Sequence, residues 1–366
     1  MAHDLEPIVR QFQFGGAARR IEPHGCGHIN DTYAVAIGPE DGPARRYILQ
    51  RLNHQVFHQP EQVMANIEAV TRHLRRKIAA AGGDPDRETL NLVPAVDGRS
   101  FYRDGDGNYW RVYAFIGGAR TYQVVESPEH LYHAGRAFGK FLRMLEDFPA
   151  ARLHETIPDF HHTRQRFERF QQALARDSAG RARAVGAEID FVLSRAADTA
   201  VLVELIAAGR LPLRVTHNDT KFNNVLIDDA TGAGLCVLDL DTVMPGLSLY
   251  DFGDAIRSGA TRAAEDEPDL AKVSLDMALF EQFSRGYLAE AGPVLTPLEL
   301  EYLPFGAKLM TLECGIRFLT DHLEGDVYFK IHRPGHNLDR ARTQFKLVAE
   351  LEKHWDRMAR LTGEYR

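Results

Sequence analysis

The stretch VTHNDTKFNNVLID, residues 215 to 228, places an aspartate and several asparagines between two apolar, β-branched runs. Val215 and Thr216 are typical of the end of one strand, and residues 225 to 227 of the start of another. The polar residues therefore occupy a loop between two strands. Loops held in this way are where chemical groups are usually mounted.

The spacing within this loop is that of a phosphotransfer loop. His217 and Asp219 are followed, after four further residues, by Asn224. Protein kinases have the same spacing, in which the aspartate accepts the proton of the substrate hydroxyl and the asparagine holds magnesium. Five residues of tight loop turn both side chains toward one cavity, where an attacking oxygen can be held in line with a phosphate. The alternative is that Asp219 and Asn224 only make turn hydrogen bonds.

A second strand favours the catalytic interpretation. LCVLDLD, residues 235 to 241, follows the turn-rich DDATGAG, which predicts a hairpin that returns the chain to the loop. Because residues i and i+2 of a strand face the same side, Asp239 and Asp241 are predicted to address one metal site beside Asn224. Magnesium bridging nucleotide phosphates would neutralise these carboxylates.

The literal sequence DFG at residues 251 to 253 offers a second candidate for the metal ligand. Asp251 lies 27 residues after Asn224, whereas Asp239 ends an apolar strand only 15 residues after it. We therefore predict Asp239 as the main ligand. Asp251 is interpreted as a helix cap or as a brace that holds the loop through hydrogen bonds.

The pattern of apolar residues predicts an α+β protein of two lobes. Strand-like runs fill residues 19–52, a helix with one buried stripe starts at Pro60, and RSFYRDGDGNYWRVYAFI, residues 99–116, is typical of a hairpin. From about residue 128 most segments have helical period. We expect a small β-rich lobe over residues 1–115 and a larger helical lobe over residues 116–366, which contains the catalytic hairpin.

Composition excludes several classes of protein. With 366 residues, a net charge of -7 and a pI near 6.2, the chain lacks the basic field of a general nucleic-acid binder. It has no basic–apolar leader and no apolar run long enough for a membrane span, so we expect a cytoplasmic protein without a membrane partner. Its three cysteines are far apart, which predicts reduced thiols and no zinc site. The histidines are interpreted as loop or cap residues and not as metal ligands: His161, His162, His332 and His336.

Several segments resemble known families. THNDTKFNNVLID, VLDLDTVMPG and YDFGDAIR resemble the aminoglycoside phosphotransferase and choline kinase superfamily, small-molecule kinases with a bilobal protein-kinase-like fold. GCGHINDTY, YILQRLNHQVF, WRVYAFI, TIPDFHHT and GIRFLTDHLEGDVYF further resemble the N-acetylhexosamine 1-kinases, which phosphorylate the anomeric hydroxyl of N-acetylglucosamine or N-acetylgalactosamine. The resemblance implies ATP and Mg²⁺ as cofactors and a small-molecule sugar as substrate. It also implies Asp219 as the catalytic base, Asn224 and Asp239 as metal ligands, and Asp241 as a support for the metal or its waters.

The resemblance also implies residues that bind the nucleotide. Arg51, at the end of YILQR, stands where relatives carry the basic residue that contacts the α- and β-phosphates; alternatively it is a surface arginine on an edge strand. Gly27 and His28 are expected to offer backbone N–H groups to the phosphates. Lys221 is expected to touch the transferring phosphoryl group, or otherwise to be solvated. Glu68 is not assigned to the site, because a solvent-face pair with Arg72 is at least as plausible.

Adenine is expected between the lobes, against the linker residues Ala114 to Ile116, although these apolar residues also suit an ordinary buried strand. On the substrate side, AKLMTLECGIRFLTDHL, residues 307–323, carries Glu313 and Arg317 one helical turn apart. They are either a helix salt bridge or, because the helix is apolar on most faces, buried charges with a purpose. Sugar hydroxyls and an acetamide carbonyl are suitable partners, so both residues are predicted to bind substrate.

Other functions remain open from sequence. A rival is a kinase of the same superfamily that acts on choline, homoserine or an aminoglycoside; choline requires an aromatic cage and an aminoglycoside an acidic cleft. A rival of another class is a catalytically silent nucleotide-binding protein. The presence of Asp219, Asn224 and Asp239 together argues against silence.

Overall fold

The N-terminal part of the chain is a five-stranded antiparallel sheet behind a short helix. The structure is a computed structural model that describes residues 4–25, 29–39 and 42–365. The sheet has the strand order β1-β2-β3-β5-β4. Its elements are α1 (Leu5–Val9), β1 (Ala18–Pro23), β2 (Asp31–Ile37), β3 (Arg45–Leu52), β4 (Tyr102–Arg103) and β5 (Tyr109–Ala114). The predicted hairpin over residues 99–116 is the β4–β5 pair, in which Tyr102 lies opposite Trp110.

The register between β3 and β5 decides which side chains reach the rest of the molecule. Leu49 lies opposite Val112, and Gln50 lies opposite Arg111. Because neighbouring residues of a strand face opposite sides, these two pairs lie on different faces of the sheet. Leu49 and Val112 join the apolar cluster that includes residues of α1. Gln50 and Arg111 lie on the other face, toward the C-terminal part.

The helix α2 (Pro60–Ala80) follows the sheet and confirms the predicted helix that starts at Pro60. Proline at its first turn costs no backbone hydrogen bond, since the first N–H groups of a helix have no partner within it. The predicted stripe is buried: Val63, Ile67, Val70, Leu74 and Ile78. These side chains belong to one apolar cluster that continues into the helical part of the molecule, so α2 attaches the sheet to that part.

The remainder of the chain is mainly helical, as the periodicity predicted. Its helices are α3 (Pro128–Met144), α4 (Thr163–Arg176), α5 (Gly186–Leu193), α6 (Asp198–Ala207), α7 (Ser248–Gly259), α8 (Met277–Ala291), α9 (Pro297–Glu324), α10 (His336–Lys353) and α11 (Trp355–Gly363). The longest, α9, begins with a capping box in which Thr296 and Glu299 satisfy each other's backbone N–H groups. Within the described ranges, none of these helices combines the length and the apolar character needed to cross a bilayer.

Short strands interrupt the helical part and carry the polar loop. They are β6 (Ala119–Arg120), β7 (Arg214–Thr216), β8 (Val225–Asp228), β9 (Gly234–Val237) and β10 (Met244–Gly246). The predicted hairpin is confirmed as the antiparallel β8–β9 pair, whereas β7 pairs with β10. The loop of residues 217–224 therefore lies between two separate small sheets. The α+β architecture with a small β-rich and a larger helical part agrees with the sequence prediction.

One detail of the hairpin differs from the prediction. β9 ends at Val237, so Asp239 and Asp241 do not lie on a strand. Asp239 has left-handed backbone angles, φ 54° and ψ 62°, and Asp241 lies in the single turn of 3-10 helix that follows. The argument that the two carboxylates share one strand face was therefore wrong, because the left-handed residue turns the chain between them.

Candidate active site

Three side chains of the loop 217–224 meet at one point. Lys221 Nζ lies 2.8 Å from Asp219 Oδ1. Asn224 Nδ2 donates to the backbone carbonyl of Asp219 at 2.8 Å and to its Oδ2 at 3.3 Å. Burial favours the neutral form of Asp219, but the ammonium group of Lys221 outweighs it, so the pKa of Asp219 lies below its ordinary value. Asp219 is therefore an ionised carboxylate beside a cation at neutral pH.

The loop is braced from behind by Asp251, in the first turn of α7. Its carboxylate accepts hydrogen bonds from the backbone N–H of His217 at 2.9 Å and of Asn218 at 2.7 Å. The His217 ring meets the Leu238 carbonyl at 2.7 Å, and Asn218 has a positive φ of 63°. These contacts fix the turn that presents Asp219. Both carboxylate oxygens of Asp251 are used in holding the loop, which favours its interpretation as a brace over that as a metal ligand.

Asp239 lies next to Asn224 because the preceding residue pairs with it: Leu238 N donates to the Asn224 carbonyl at 2.8 Å. Asp239 is exposed to solvent, although many protein atoms lie around its carboxylate. Desolvation by these atoms, with the negative charges of Asp241 and Asp219, raises the pKa of Asp239 to about 6. Over the described ranges its carboxylate forms no ion pair, so it is a carboxylate held without a neutralising partner.

The donor set around Asp239 fits a hard divalent cation. Asn224 uses its side-chain amide nitrogen toward Asp219, which leaves its side-chain oxygen to face a ligand. A carboxylate and an amide oxygen are ligands that Mg²⁺ accepts, with phosphates and water completing its shell. In residues 4–25, 29–39 and 42–365, no three His, Cys, Asp or Glu side chains are grouped as a metal site of their own. The site therefore suits a cation that arrives with a nucleotide.

Asp241, predicted to support the metal, is engaged elsewhere. One of its carboxylate oxygens accepts a hydrogen bond from Arg111 of β5, and the other accepts one from Asn30 Nδ2 at 2.6 Å. Arg111 and Asp241 are 1% and 3% exposed, so the ion pair is shielded from water. Both oxygens of Asp241 have partners from the sheet, and the residue joins the two parts of the molecule instead of facing the cleft.

The structure does not bring Arg51 to this site. Arg51 lies opposite Trp110, on the same sheet face as Leu49, because it is an odd number of residues from the inward-facing Gln50. Its guanidinium pairs with Asp31 at 2.5 Å. Gly27 and His28, predicted to contact the phosphates, lie outside the described residues. Glu68 pairs with Arg72 on the exposed face of α2, one of the two alternatives that the sequence left open.

The linker predicted to bind adenine follows β5 directly. Ala114 is the last residue of β5, and Ile116 is buried two residues later. Two backbone N–H groups here are already used: Ala114 N donates to the Asn91 carbonyl at 2.9 Å and Phe115 N to the Arg46 carbonyl at 3.1 Å. These contacts fix the path of the linker between the sheet and β6.

Glu313 and Arg317 of α9 lie on the far side of the catalytic loop. Glu313 is 1% exposed and accepts hydrogen bonds from His161 at 2.9 Å and from Thr163 at 2.6 Å. The other ring nitrogen of His161 lies 3.2 Å from the carbonyl of Asn218. Glu313 is thus connected through one imidazole to the residue before Asp219, and it makes no ion pair with Arg317. Glu313 therefore forms neither a helix salt bridge with Arg317 nor an exposed contact for a substrate. It is a buried carboxylate whose partners are His161 and Thr163.

Arg317 lines a small pocket that is partly open to solvent. Its lining consists of charged and aromatic side chains and one threonine: Arg166, Arg169, Arg317, Thr320, Asp321, Glu324, Tyr328 and Phe329. The Arg317 guanidinium lies 5.5 Å from the centre of the Phe329 ring and 5.7 Å from that of Phe160. Phe160 precedes His161, so the pocket adjoins the link to the catalytic loop.

The acidic residues of the pocket already have partners. Asp321 accepts hydrogen bonds from the backbone N–H groups of residues 327 to 329 and from Asn337. Glu324 pairs with Arg169 at 2.8 Å. In the part of the chain that the structure describes, neither Arg166 nor Arg317 forms an ion pair with a carboxylate within 4 Å, and Arg166 Nε is buried without a partner. Burial and the charge of Arg317 lower the pKa of Arg166. The pocket therefore presents an excess of guanidinium groups.

Sequence reasoning missed several of these residues. Arg111 carried a usable signal, because a charged residue at the centre of the β-rich run YWRVYA is buried only with a partner. Arg166 and His161 carried none, since arginines and histidines on amphipathic helices and loops are usually solvated. Their roles depend on the packing of α4 against α9, which neither sequence segment reveals alone.

The chain is similar to known phosphotransferases in its sequence profile and in its structure. The profile of a phosphotransferase enzyme family matches residues 20–292. An aminoglycoside phosphotransferase from Alicyclobacillus acidocaldarius has a similar structure, with a TM-score of 0.62 and 14% identity, covering 100% of this chain and 97% of that one. A microcompartment-associated aminopropanol kinase gives a TM-score of 0.60 at 18% identity and 97% coverage of both chains. Spectinomycin phosphotransferase, solved with ADP and spectinomycin, gives 0.55 at 12% identity, covering 97% of this chain and 98% of that one. The shared fold is the bilobal protein-kinase-like fold.

Proposed function

This chain belongs to the phosphotransferase enzyme family, as its motifs predicted, and from that premise we propose that it is an ATP- and magnesium-dependent kinase of an N-acetylhexosamine. The acceptor would be the anomeric hydroxyl, and the product the sugar 1-phosphate. The observation that supports this choice of acceptor is the pocket between α4 and α9, in which Arg166 and Arg317 form no ion pair with a carboxylate among the described residues.

The phosphotransfer step rests on Asp219 and Lys221. The ionised Asp219 orients the anomeric hydroxyl and takes its proton as the hydroxyl oxygen bonds to the γ-phosphorus. The bond from that phosphorus to the bridging oxygen breaks, and ADP leaves with the electron pair. Lys221, 2.8 Å from Asp219, keeps the carboxylate ionised and is within reach of the transferring group. Mg²⁺, held by Asn224 and Asp239, would supply charge neutralisation on the phosphates.

The pocket argues against a cationic acceptor. Choline, amino alcohols and aminoglycosides carry positive charge, which a carboxylate or an aromatic cage must offset. Here Asp321 already accepts backbone hydrogen bonds and Glu324 is paired with Arg169, while Arg166 and Arg317 form no direct ion pair among the described residues. An ammonium group would therefore meet like charge. A neutral substrate that carries several hydrogen-bond acceptor oxygens would avoid this repulsion.

An acetylated sugar matches the remaining features of the pocket. Guanidinium groups donate to carbonyl and hydroxyl oxygens, which suits an acetamide and the ring hydroxyls. Tyr328, which is 61% exposed, and Phe329 provide an aromatic wall with an apolar face. Glu313 contacts His161, whose other ring nitrogen lies 3.2 Å from the Asn218 carbonyl, so α9 is connected to the loop that carries Asp219. A sugar held there would be fixed with respect to the base, as in-line transfer requires.

Phosphate transfer from Mg²⁺–ATP to a panel of acceptors tests the proposal. We expect turnover with N-acetylglucosamine or N-acetylgalactosamine, at least tenfold lower kcat/KM with glucosamine, and none with choline, ethanolamine or homoserine. Arg317→Met should raise the sugar KM about tenfold or more, as expected for a lost hydrogen bond to a buried acceptor. Arg169→Met is the matched control, since Arg169 lines the same pocket but is already paired with Glu324. A preference for an amino alcohol over every acetylated sugar would refute the proposed acceptor.

A further inference from the structure

Within the part of the chain that the structure describes, the sheet does not form the ion pair by which protein kinases couple their two lobes. In those enzymes a lysine on the third strand pairs with a helix glutamate, and both must be in place for activity. Here β3, RRYILQRL, contains no lysine, and Glu68 of α2 pairs with Arg72 on the exposed surface. Arg51 of β3 pairs with Asp31, on the sheet face that points away from Gln50. Another contact must connect the sheet to the metal site.

Arg111 and Asp241 supply such a contact. Arg111 extends from the inward face of β5, where its Nε donates to Gln50 Oε1 at 3.0 Å, and its Nη1 bonds to Asp241. The second oxygen of Asp241 accepts from Asn30, whose own side-chain oxygen accepts from Asn53 N at 3.0 Å. Among the described residues, the donors to the buried Asp241 carboxylate all come from the N-terminal lobe, so this carboxylate ties the segment after β9 to that lobe.

A second contact anchors the same segment two residues further on. Asn66 of α2 donates to the Val243 carbonyl at 3.0 Å and to the His154 carbonyl at 2.8 Å. His154 N in turn donates to Asn66 Oδ1 at 2.8 Å. Asn66 is 2% exposed, so these bonds form in a dry environment where each is costly to lose. Residues 241–243 are therefore held to the N-terminal lobe at both ends.

The held segment begins two residues after Asp239, a residue that needs support. A non-glycine residue with φ of 54° occupies a sparsely populated region and persists only where surrounding structure imposes it. Asp241, two residues later, is fixed by Arg111. We propose that the Arg111–Asp241 pair is the lobe-coupling pair of this protein and positions the Asp239 carboxylate for the metal–nucleotide complex. Both are positioning residues, and the inference rests on the proposed function.

The test separates positioning from the cost of an unpaired buried charge. Arg111→Met alone leaves Asp241 buried without its counter-charge and is expected to melt at a lower temperature. The double variant Arg111→Met/Asp241→Leu removes both charges, and buried pairs replaced by apolar residues often keep their stability. We expect the double variant to melt near the unmodified protein but to bind Mg²⁺–ADP at least tenfold more weakly by titration calorimetry. Its KM for the sugar should change less than twofold.

Amide hydrogen exchange gives a second readout that does not depend on catalysis. In the double variant, exchange over residues 238–243 should accelerate at least tenfold, while α9 and α10 keep their protection. Arg195→Met is the control, because Arg195 forms a bidentate pair with Glu352, at 3.0 and 2.7 Å, away from the loop and the sheet. It should lower the melting temperature without changing Mg²⁺–ADP affinity.

The outcomes distinguish this inference from the proposed function. A double variant that melts and binds Mg²⁺–ADP as the unmodified protein does would overturn the positioning role alone. An unmodified protein whose affinity for ADP is the same with and without Mg²⁺ would overturn the metal role proposed for Asp239, and the positioning role with it. We expect Mg²⁺–ADP to bind more weakly to Arg111→Met and to Arg111→Met/Asp241→Leu, and to bind Arg195→Met as tightly as the unmodified protein.

Discussion

At the scale of single residues, the ionisation of Asp219 is the property on which the proposed chemistry depends. The carboxylate is 27% exposed, lies 2.8 Å from Lys221 and accepts a hydrogen bond from Asn224. Each contact favours the charged form, which outweighs the burial that opposes it. An ionised carboxylate can accept the proton of the attacking hydroxyl, so Asp219 is in the form that a general base needs.

Asp219→Asn removes this base while leaving the size of the side chain unchanged. We expect kcat to fall by roughly 10² to 10⁴, the usual contribution of a positioned general base. The affinity for Mg²⁺–ADP should change less than threefold, because Asn224 and Asp239 remain. Steady-state kinetics and titration calorimetry measure the two quantities. Asn223→Ala, in the same loop, is the control. If the kcat of Asp219→Asn stayed within tenfold of that of the unmodified protein, Asp219 would not be the general base.

Asp251 gives the protein a pH-dependent stability whose sign can be worked out. Burial raises the pKa of Asp251 to about 6, from 3.8 in an exposed aspartate, despite the two backbone donors. A raised folded pKa favours the fold below the unfolded pKa, and this contribution is lost as pH rises through 6. The loss amounts to about 3 kcal/mol at 1.36 kcal/mol per pH unit.

Denaturant unfolding at pH 4 and pH 7 measures this contribution. Relative to Asp251→Asn, the protein should lose about 2.4 kcal/mol of unfolding free energy between the two pH values, since an unfolded aspartate is already partly ionised at pH 4. Asp239 titrates in both proteins, so its contribution cancels in the difference. The mutant also loses a brace hydrogen bond, but that loss is the same at both pH values. A difference that does not change with pH would show that Asp251 is already ionised at pH 4.

The sequence predicted which side chains of the loop 217–224 meet, but not which side chains of the sheet point toward the C-terminal part. The spacing predicted that Asp219 and Asn224 lie together, and they are in contact, because a loop of fixed length brings its side chains together whatever surrounds it. Arg51 and Arg111 were not distinguished, because a strand presents both faces and only cross-strand register decides which arginine points inward. That register is set by packing between β3 and β5, which are about 60 residues apart in sequence.

At the scale of elements, the packing of α7 against α9 sets the site. Gly253 of α7 and Gly306 of α9 allow close approach: a Cβ on Gly253 would lie 2.4 Å from the Gly306 carbonyl oxygen. A Cβ on Gly306 would lie 2.6 Å from the Leu249 carbonyl oxygen. Backbone atoms cannot rotate away, so any side chain separates the helices. α7 carries Asp251 and α9 carries Arg317, so the separation would disturb the loop brace and the pocket together.

Gly253→Ala is therefore expected to destabilise the fold by about 1–3 kcal/mol, the usual cost of overpacking a well-packed interface. Chemical denaturation measures the loss, and the sugar KM should rise with it. Gly186→Ala is the matched control, because a Cβ on Gly186 of α5 meets nothing within 4 Å. Equal stability of the two variants would mean that the helices are not in close contact at Gly253.

Periodicity predicted these elements but not their junctions. The helix from Pro60 and both hairpins follow from 3.6- and 2-residue patterns, which burial imposes along a whole element. The left-handed turn at Asp239 has no such pattern, and aspartate enters it because tertiary contacts on Asp241 and Val243 hold the chain. Where one residue's conformation is set by distant partners, the local sequence gives no signal.

At the scale of the whole molecule, the two lobes provide different parts of one reaction. The C-terminal lobe carries Asp219, Asn224, Asp239 and the arginine-lined pocket, whereas the sheet lobe reaches the metal segment through Arg111 and Asn30. A nucleotide between them would contact both. Ligand that binds only the assembled fold stabilises it by mass action, by about 2.7 kcal/mol at a hundredfold excess over Kd.

Removal of the metal tests this arrangement directly. We expect saturating ADP with Mg²⁺ to raise the melting temperature, and EDTA to abolish most of the rise, since Asn224 and Asp239 supply only two ligands and the phosphates the rest. Asp239→Asn should show a small rise with ADP that EDTA leaves unchanged, because the remaining amide oxygens hold the cation weakly. The conservative change keeps the volume of the side chain, so a folding defect is not expected to mimic the result. If Asp239→Asn kept the full Mg²⁺-dependent rise in melting temperature, the cation would be bound by other residues of the cleft. The proposal that Asn224 and Asp239 hold the cation would then be wrong.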